Sequence, residues 1–405
     1  MKIIGLDVGR GSAVLCCLNE FPSNIQQHYK YLKREKLFFK IKCDRAGADL
    51  LLSLNPDGIV IEPTGHWYSN FWLALAKNNG IQLYWIGHTD LDKQRGSYGF
   101  VNKRDEEDAL CLAASYFDDR FIQSDGSKRF LNYYYSSDET ITNIRELFLE
   151  KEQLQKLRSG LIAQLRQRLS FEYPEGATST MDISSVRGFT PFIGWLAGIH
   201  FDKRYENKYR LSVALLLNIK ISNYTKQHSK AITDIEVRIT QHYDVLRSQI
   251  TKPNYEAYIR VFDRFGFGLD NKVLLLYHCY PLDKFLVNGK AWIEQEEGKN
   301  GKMQKRDRSL RKFQAYLGMS FNYRQSGDKK TRKFYGSTLV RSHLYVWAVC
   351  MVAPKNYRIE SDIGKQLSNR YQELRETVKG KDALIRILFK ATRMLFYELL
   401  NEVKS

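Results

Sequence analysis

The feature that most constrains this chain is its opening, KIIGLDVGRGSAVLCCL, two apolar runs joined at Gly9-Arg10-Gly11. Short aliphatic and β-branched runs on either side of a glycine turn specify a pair of strands. The first, Lys2–Val8, carries Asp7 among Ile3, Ile4 and Leu6. A carboxylate inside such a run is costly to bury unless the fold has a use for it.

Lys36–Lys42 reads as a third strand, with Phe38, Phe39 and Ile41. Ala46–Leu54 reads as a helix stopped by Asn55-Pro56-Asp57-Gly58, and Gly58–Glu62 as a short apolar strand ending in a second carboxylate. Trp67–Lys77 is an amphipathic helix closed at Asn78-Asn79-Gly80, Ile81–Ile86 a strand and Arg104–Phe117 a helix. Three hairpin-connected strands followed by alternating helix and strand is the order of an RNase H-like (RuvC-like) sheet, expected over residues 1–130.

In DETITNIRELFLEKEQLQKLRSGLIAQLRQRL, Ile141, Ile144, Leu147, Leu154, Leu157, Leu161 and Leu165 recur at three- and four-residue steps. The stripe predicts a coiled coil or antiparallel hairpin, with Tyr224 to about Ile250 as the other arm, or else a plain core helix. Residues 131–255 are thus expected to be a helical middle region, and 256–405 a helical C-terminal domain. Glu294–Arg308 (EQEEGKNGKMQKRDR) reads as a charged linker.

The 63 Lys+Arg against 45 Asp+Glu leave a net charge of +18, a field that attracts polyanions, nucleic acid first among them. The surplus concentrates between Lys302 and Lys333, where eleven basic residues face only Asp307 and Asp328. Tyr316, Phe321, Tyr323, Phe334 and Tyr335 are interleaved, so cations for phosphates alternate with rings for bases; a solvated charged face is the plainer alternative. Six cysteines, at 16, 17, 43, 111, 279 and 350, form no CxxC pair or Cys/His cluster, which predicts reduced thiols and no zinc site. With no signal-peptide pattern and no apolar run near membrane-span length, the expected location is cytoplasmic and nucleoid-associated, away from membranes.

Four acids stand out. Asp7 and Glu62 lie at strand ends, while Asp105 and Asp108, three apart in RDEEDALCLAA, share one face of a helix. Converging carboxylates repel unless a cation sits among them, and hard oxygen donors favour Mg²⁺ or Mn²⁺. Taken singly, Glu62 is also a solvated strand end, and the acids at 105–108 suit a helix N-terminus on dipole grounds alone.

Two blocks resemble the DEDD transposases, the insertion-sequence "one-ten" family with its invertase and bridge-RNA-guided relatives. The first comprises Ile4-Gly5-Leu6-Asp7-Val8, Glu62-Pro63-Thr64-Gly65 with Trp67 and Tyr68, and Lys103-Arg104-Asp105-Glu106-Glu107-Asp108-Ala109. The second comprises Gly318-Met319, Gln325-Ser326-Gly327, and Gly336 through Val340-Arg341 to Leu344. Met319 and Val340 stand where leucine is usual; residues 131–300 match only in helical character, and the charged segment near 288–310 and the helices after 356 are additional.

The resemblance implies a DNA transposase or recombinase in which Asp7, Glu62, Asp105 and Asp108 hold Mg²⁺ or Mn²⁺. It implies that Ser326 is a nucleophile forming a phosphoserine link to DNA, with Ser337 as runner-up. Arg324, Lys329, Lys330, Arg332, Lys333 and Arg341 are the candidate nucleic-acid contacts. No general base adjoins Ser326 in the sequence, so activation is expected from the acidic site of a partner subunit. A homodimer or homotetramer and a structured non-coding (bridge) RNA complete the expectation. Three rivals stand beside it: a Holliday-junction-resolvase-like metal nuclease, an actin-like ATPase or sugar kinase suggested by Leu6-Asp7-Val8-Gly9, and a non-catalytic nucleic-acid-binding protein.

Overall fold

The computed structural model describes residues 1–62, 67–121, 132–133, 139–297, 303–326 and 329–403. Two compact units divide the chain, Met1–Ser136 and Ser137–Ser405, the first mixed α/β and the second mainly helical. Residue 255, where a boundary is expected from sequence, lies in the one-turn helix Pro253–Tyr255 inside the second unit.

The first unit is built on β1 (Ile3–Gly9), β2 (Ser12–Leu18), α1 (Ile25–Arg34), β3 (Phe39–Lys42), α2 (Arg45–Ser53) and β4 (Gly58–Ile61). It continues through α3 (Asn70–Asn78), β5 (Gln82–Trp85), α4 (His88–Ser97), α5 (Asp105–Phe117) and the two-residue β6 (Asn132–Tyr133). The sheet order is β3-β2-β1-β4-β5-β6; β1, β2 and β3 pair antiparallel, whereas β4 runs parallel to β1 and β5 to β4. Side chains alternate across the sheet. Ile4, Leu6 and Val8 enter one core with Trp72 of α3 and Leu51 of α2, while Ile3 and Val60 enter the other beneath α5.

One expectation is corrected here: β2 and β3 are not joined by a hairpin, because α1 intervenes. Asn24 caps it by accepting from the Gln27 amide at 2.9 Å, and Ile25, Tyr29 and Leu32 form its buried stripe. Helix α5 lies directly on β1. A Cβ at Gly5 would stand 2.0 Å from the Ala109 carbonyl oxygen, so only glycine permits this approach.

The second unit opens with α6 (Glu139–Glu172), followed by the short α7 (Pro191–Leu196), α8 (Lys203–Arg210) and α9 (Val213–Leu216), then α10 (Asn223–Ile250). Helices α6 and α10 run antiparallel: Gln155 meets Tyr243, Arg158 meets Glu236, and the Leu161 carbonyl meets His228. Helices α11 (Glu256–Arg264) and α12 (Leu269–Cys279) follow, then β7 (Ile293–Glu297), β8 (Met303–Asp307) and α13 (Arg308–Tyr316). The unit ends with β9 (Ser320–Ser326), β10 (Lys329–Tyr335), α14 (Thr338–Trp347), α15 (Asp362–Thr377) and α16 (Gly380–Glu402). Its main core gathers Phe148, Phe262, Phe265, Phe313 and Phe396 among many aliphatic residues.

Two features differ from the sequence expectation for this unit. The charged run expected to be a linker contributes both strands of the antiparallel β7–β8 pair. The expected all-helical C-terminal region also carries the β9–β10 pair. Among the described residues no helix is long and apolar enough to cross a membrane, and all six cysteines are free thiols.

Candidate acidic site and basic hairpin

In the first unit the fold brings the expected acids toward one end of the sheet. Asp7 shares a face of β1 with Ile3 and Gly5, the face covered by α5. Leu6 pairs with Ile61 across the parallel β1–β4 ladder, so Asp7 and Glu62 are the next residues on adjacent strands. Asp105, Glu106, Glu107 and Asp108 make up the first turn of α5, where the positive end of the helix dipole favours them. Asp105 is exposed; Asp108 is buried, as are Glu62 and Glu107.

The electrostatics record the crowding. The Asp7 carboxyl is pushed up to about 7, first by burial and then by the charges of Asp108, Asp105 and Glu62, with Lys103 opposing them. Burial also raises Asp108, against the pull of Arg95, and raises Glu107. Asp108 Oδ2 and Glu107 Oε2 are buried with no hydrogen-bond partner among the described residues.

Two side chains that sequence reasoning missed, a histidine and an arginine, meet these acids, both from α4. His88 Nδ1 is hydrogen-bonded to Glu62 Oε1, and Arg95 donates through Nη1 to Asp108 Oδ1 at 2.5 Å and through Nη2 to Asp92. The helix gives little periodic signal, since Leu91 is its one buried apolar residue. As the side chains lie, no three His, Cys, Asp or Glu groups among the described residues stand ready to share one ion. The Pro63-Thr64-Gly65 part of the expected motif lies outside the described residues.

In the second unit the expected nucleic-acid residues fall on β9, β10 and the start of α14. Ser326 is the last residue of β9 and pairs with Lys329. Gly327 lies outside the described residues, as do the side chains of Arg324, Ser326, Lys329 and Lys330. Arg332 and Lys333 are exposed on β10, and the Arg332 guanidinium stands 3.3 Å from the ring centroid of Phe321. Phe321 and Phe334 are a cross-strand pair, 4.4 Å between centroids, and Phe321 also stacks on Phe389. These two rings therefore fasten the hairpin to the unit, while Tyr316 and Tyr335 are exposed.

A tight corner supports the hairpin. Gly318 and Gly336 have φ of +79° and +93°, and a Cβ on Gly336 would lie 1.8 Å from the Ala315 carbonyl oxygen. Arg341 donates to the Gly318 carbonyl at 2.9 Å and lies over the Phe334 ring at 4.7 Å, so it braces the corner. Ser337, the alternative nucleophile, is the N-cap of α14 and accepts from the Val340 amide at 3.3 Å. No protein-family model matches the chain, and no curated protein matches it.

Proposed function

We propose that the chain is a DNA transposase or recombinase of the DEDD type, with an RNase H-like first unit and Ser326 as nucleophile. The observation that carries the metal-dependent half is the placing of Asp7 beside Asp108, Asp105 and Glu62; burial first, and then their charges, push its carboxyl up to about 7. A site that concentrates carboxylates on two strand ends and a helix start, with more acids than basic partners around Asp7, suits a divalent cation. The strand order supports the fold: antiparallel β1–β3, then β4 and β5 parallel to β1 with helices between them.

In donor chemistry the four acids suit Mg²⁺ or Mn²⁺, although as the side chains lie no three of them share one ion. Asp7, Glu62, Asp105 and Asp108 are all hard oxygen donors, and Asp108 Oδ2 has no hydrogen-bond partner among the described residues. Such an ion, when bound, supplies positive charge that offsets the charge developing on a phosphodiester. The chain's part is to hold its carboxylates on rigid elements, β1 and the packed start of α5.

In the proposed reaction the Ser326 Oγ–P bond forms as the P–O bond to the departing strand breaks. The hydroxyl proton ends on the departing oxygen, and the phosphoserine link keeps the bond energy for rejoining. Arg324, Lys329, Lys330, Arg332 and Lys333 neutralise phosphates, and Arg341 positions the corner from which β10 leads into α14. Cutting two duplexes calls for several active sites, hence a homodimer or homotetramer, and a structured non-coding RNA is proposed as guide.

The test is strand transfer on duplex DNA with Mg²⁺ and the nucleic acid that copurifies. Joined products that disappear in Asp7→Asn support the proposal. Mg²⁺-dependent free ends without joining would indicate a resolvase-like nuclease instead, and DNA left intact under all conditions would refute both.

A further inference from the structure

We infer that Lys284, flanked by Lys312 and Arg145, is a phosphate subsite for a nucleic-acid strand, beside the corner from which the β9–β10 hairpin springs. The inference rests on the nucleic-acid half of the proposal above and deepens it; it makes no use of the acidic site.

Lys284 lies in the short turn of helix Leu282–Phe285, between α12 and β7. Its half-buried ammonium donates to the Tyr280 carbonyl at 3.0 Å and stands 5.2 Å and 4.9 Å from the ring centroids of Phe285 and Tyr316. Rings and a carbonyl attract a cation, but none of them carries a countercharge. No carboxylate among the described residues pairs with Lys284; the adjacent Asp283 is exposed and forms no ion pair with it.

The cation that reaches it adds to the strain. Burial, reinforced by the charge of Lys312 on α13, pulls the Lys284 ammonium down from 10.5 to about 8. On α12, His278 bonds through Nδ1 to the Leu274 carbonyl at 2.8 Å. Burial, against that bond, and then the charges of Lys284 and Arg145 hold His278 neutral, down at about 3. Burial likewise keeps the neighbouring Cys279 thiol protonated. Arg145, exposed on α6, has no ion pair among the described residues. Cations from three elements thus gather around a neutral histidine, an arrangement that an incoming polyanion relieves.

Position favours a nucleic-acid strand as that polyanion. Tyr316, against whose ring Lys284 lies, is the last residue of α13 and stands two residues before Gly318, the corner glycine whose carbonyl Arg341 holds. The subsite therefore adjoins the root of the strands that carry Arg332 and Lys333. A nucleic-acid backbone repeats its charge along its length and so can engage the hairpin and Lys284 together.

The alternative is that Lys284 is a structural cation packed on two rings. The experiment is fluorescence anisotropy of a labelled duplex oligonucleotide with the full-length protein in EDTA, across a salt series and from neutral to alkaline pH. Lys284→Met keeps the packing on the rings and removes the charge. It is expected to weaken binding on the order of tenfold and to lower the slope of log affinity against log salt by about 1. Wild-type affinity should be full below pH 8 and decline above it as the Lys284 ammonium deprotonates, whereas ordinary lysines titrate near about 10.4. Lys284→Arg, charged throughout, should bind as tightly as wild type at neutral pH and lose that decline. A structural cation would instead give Lys284→Met a lowered melting temperature with unchanged binding. An unchanged salt slope and pH profile in Lys284→Met overturns the inference while leaving the hairpin contacts standing. If inorganic phosphate at matched ionic strength then raises the melting temperature of wild type but not of Lys284→Met, the site belongs to a free anion. Wild type that binds no oligonucleotide at low salt overturns the nucleic-acid reading and the inference with it.

Discussion

Arg95 holds Asp108 across the acidic end of the first unit, guanidinium Nη1 to carboxylate Oδ1 at 2.5 Å, while the other carboxylate oxygen has no hydrogen-bond partner among the described residues. Half of that carboxylate is thus satisfied by protein and half is not. In the proposed function that open acceptor is where a cation would bind. The neighbouring Asp7, raised by burial and then by the charges of Asp108, Asp105 and Glu62, adds to the negative character of that end of the sheet.

The raised Asp7 fixes a pH dependence. Its folded value of about 7 lies above the ordinary 3.8, so the folded state holds a proton that the unfolded chain has lost between those values. The stability it contributes is present below pH 3.8 and disappears as pH rises through about 7. Metal-free protein should therefore lose about 1–3 kcal/mol over that window, and Asp7→Asn should remove most of the slope. Added Mg²⁺ should raise the melting temperature more at pH 8 than at pH 6, which thermal scans at the two pH values will check.

In the second unit the opposite sign applies to Glu152. Burial opposes its ionisation, but bonds from His343 and the fully buried Lys151 hold its carboxyl down at about 2. Its stabilisation is present above pH 4.5 and lost as pH falls through about 2. Acid titration followed by circular dichroism should show a loss of about 2–3 kcal/mol that Glu152→Gln abolishes, at a cost in stability at neutral pH.

Gly336→Ala tests the corner. The new Cβ would meet the Ala315 carbonyl at 1.8 Å in a backbone conformation that disfavours side chains. A loss of at least about 2 kcal/mol is expected in urea unfolding, together with weakened DNA binding.

Much of the first unit was legible because its strands carry continuous apolar runs: Ile3-Ile4, Val14-Leu15 and Ile59-Val60-Ile61 sit where those runs place them. Helix α1 was not, since its stripe of Ile25, Tyr29 and Leu32 is diluted by Gln, His and Lys. Helix α4 was less visible still: it meets Glu62 and Asp108 through His88 and Arg95, and polar pairing across a fold leaves no periodicity. Strands β7 and β8 read as a linker because a pair of that composition, EQEE against MQKRD, has no apolar face to announce it. The spacing of Gly318 and Gly336 was visible, but its cause, two backbones in contact, is a tertiary fact.

The basic hairpin should bind DNA through phosphates. Arg332→Ala and Lys333→Ala, both exposed on β10, are each expected to lower the slope of log affinity against log salt by about 1. Fluorescence anisotropy across a salt series measures this, and an unchanged slope in both variants would place the phosphate contacts elsewhere.

The central claim is tested most directly by trapping the protein on DNA. A substrate nicked just beyond the cleavage position, incubated with Mg²⁺ and denatured, should leave a covalent protein–DNA adduct. Peptide mapping should locate that adduct at Ser326. Ser326→Ala should abolish it, and Asp7→Asn should reduce it at least about a hundredfold. An adduct of wild-type yield in Ser326→Ala, or cleavage by wild type that leaves only free ends, would contradict the proposed recombinase.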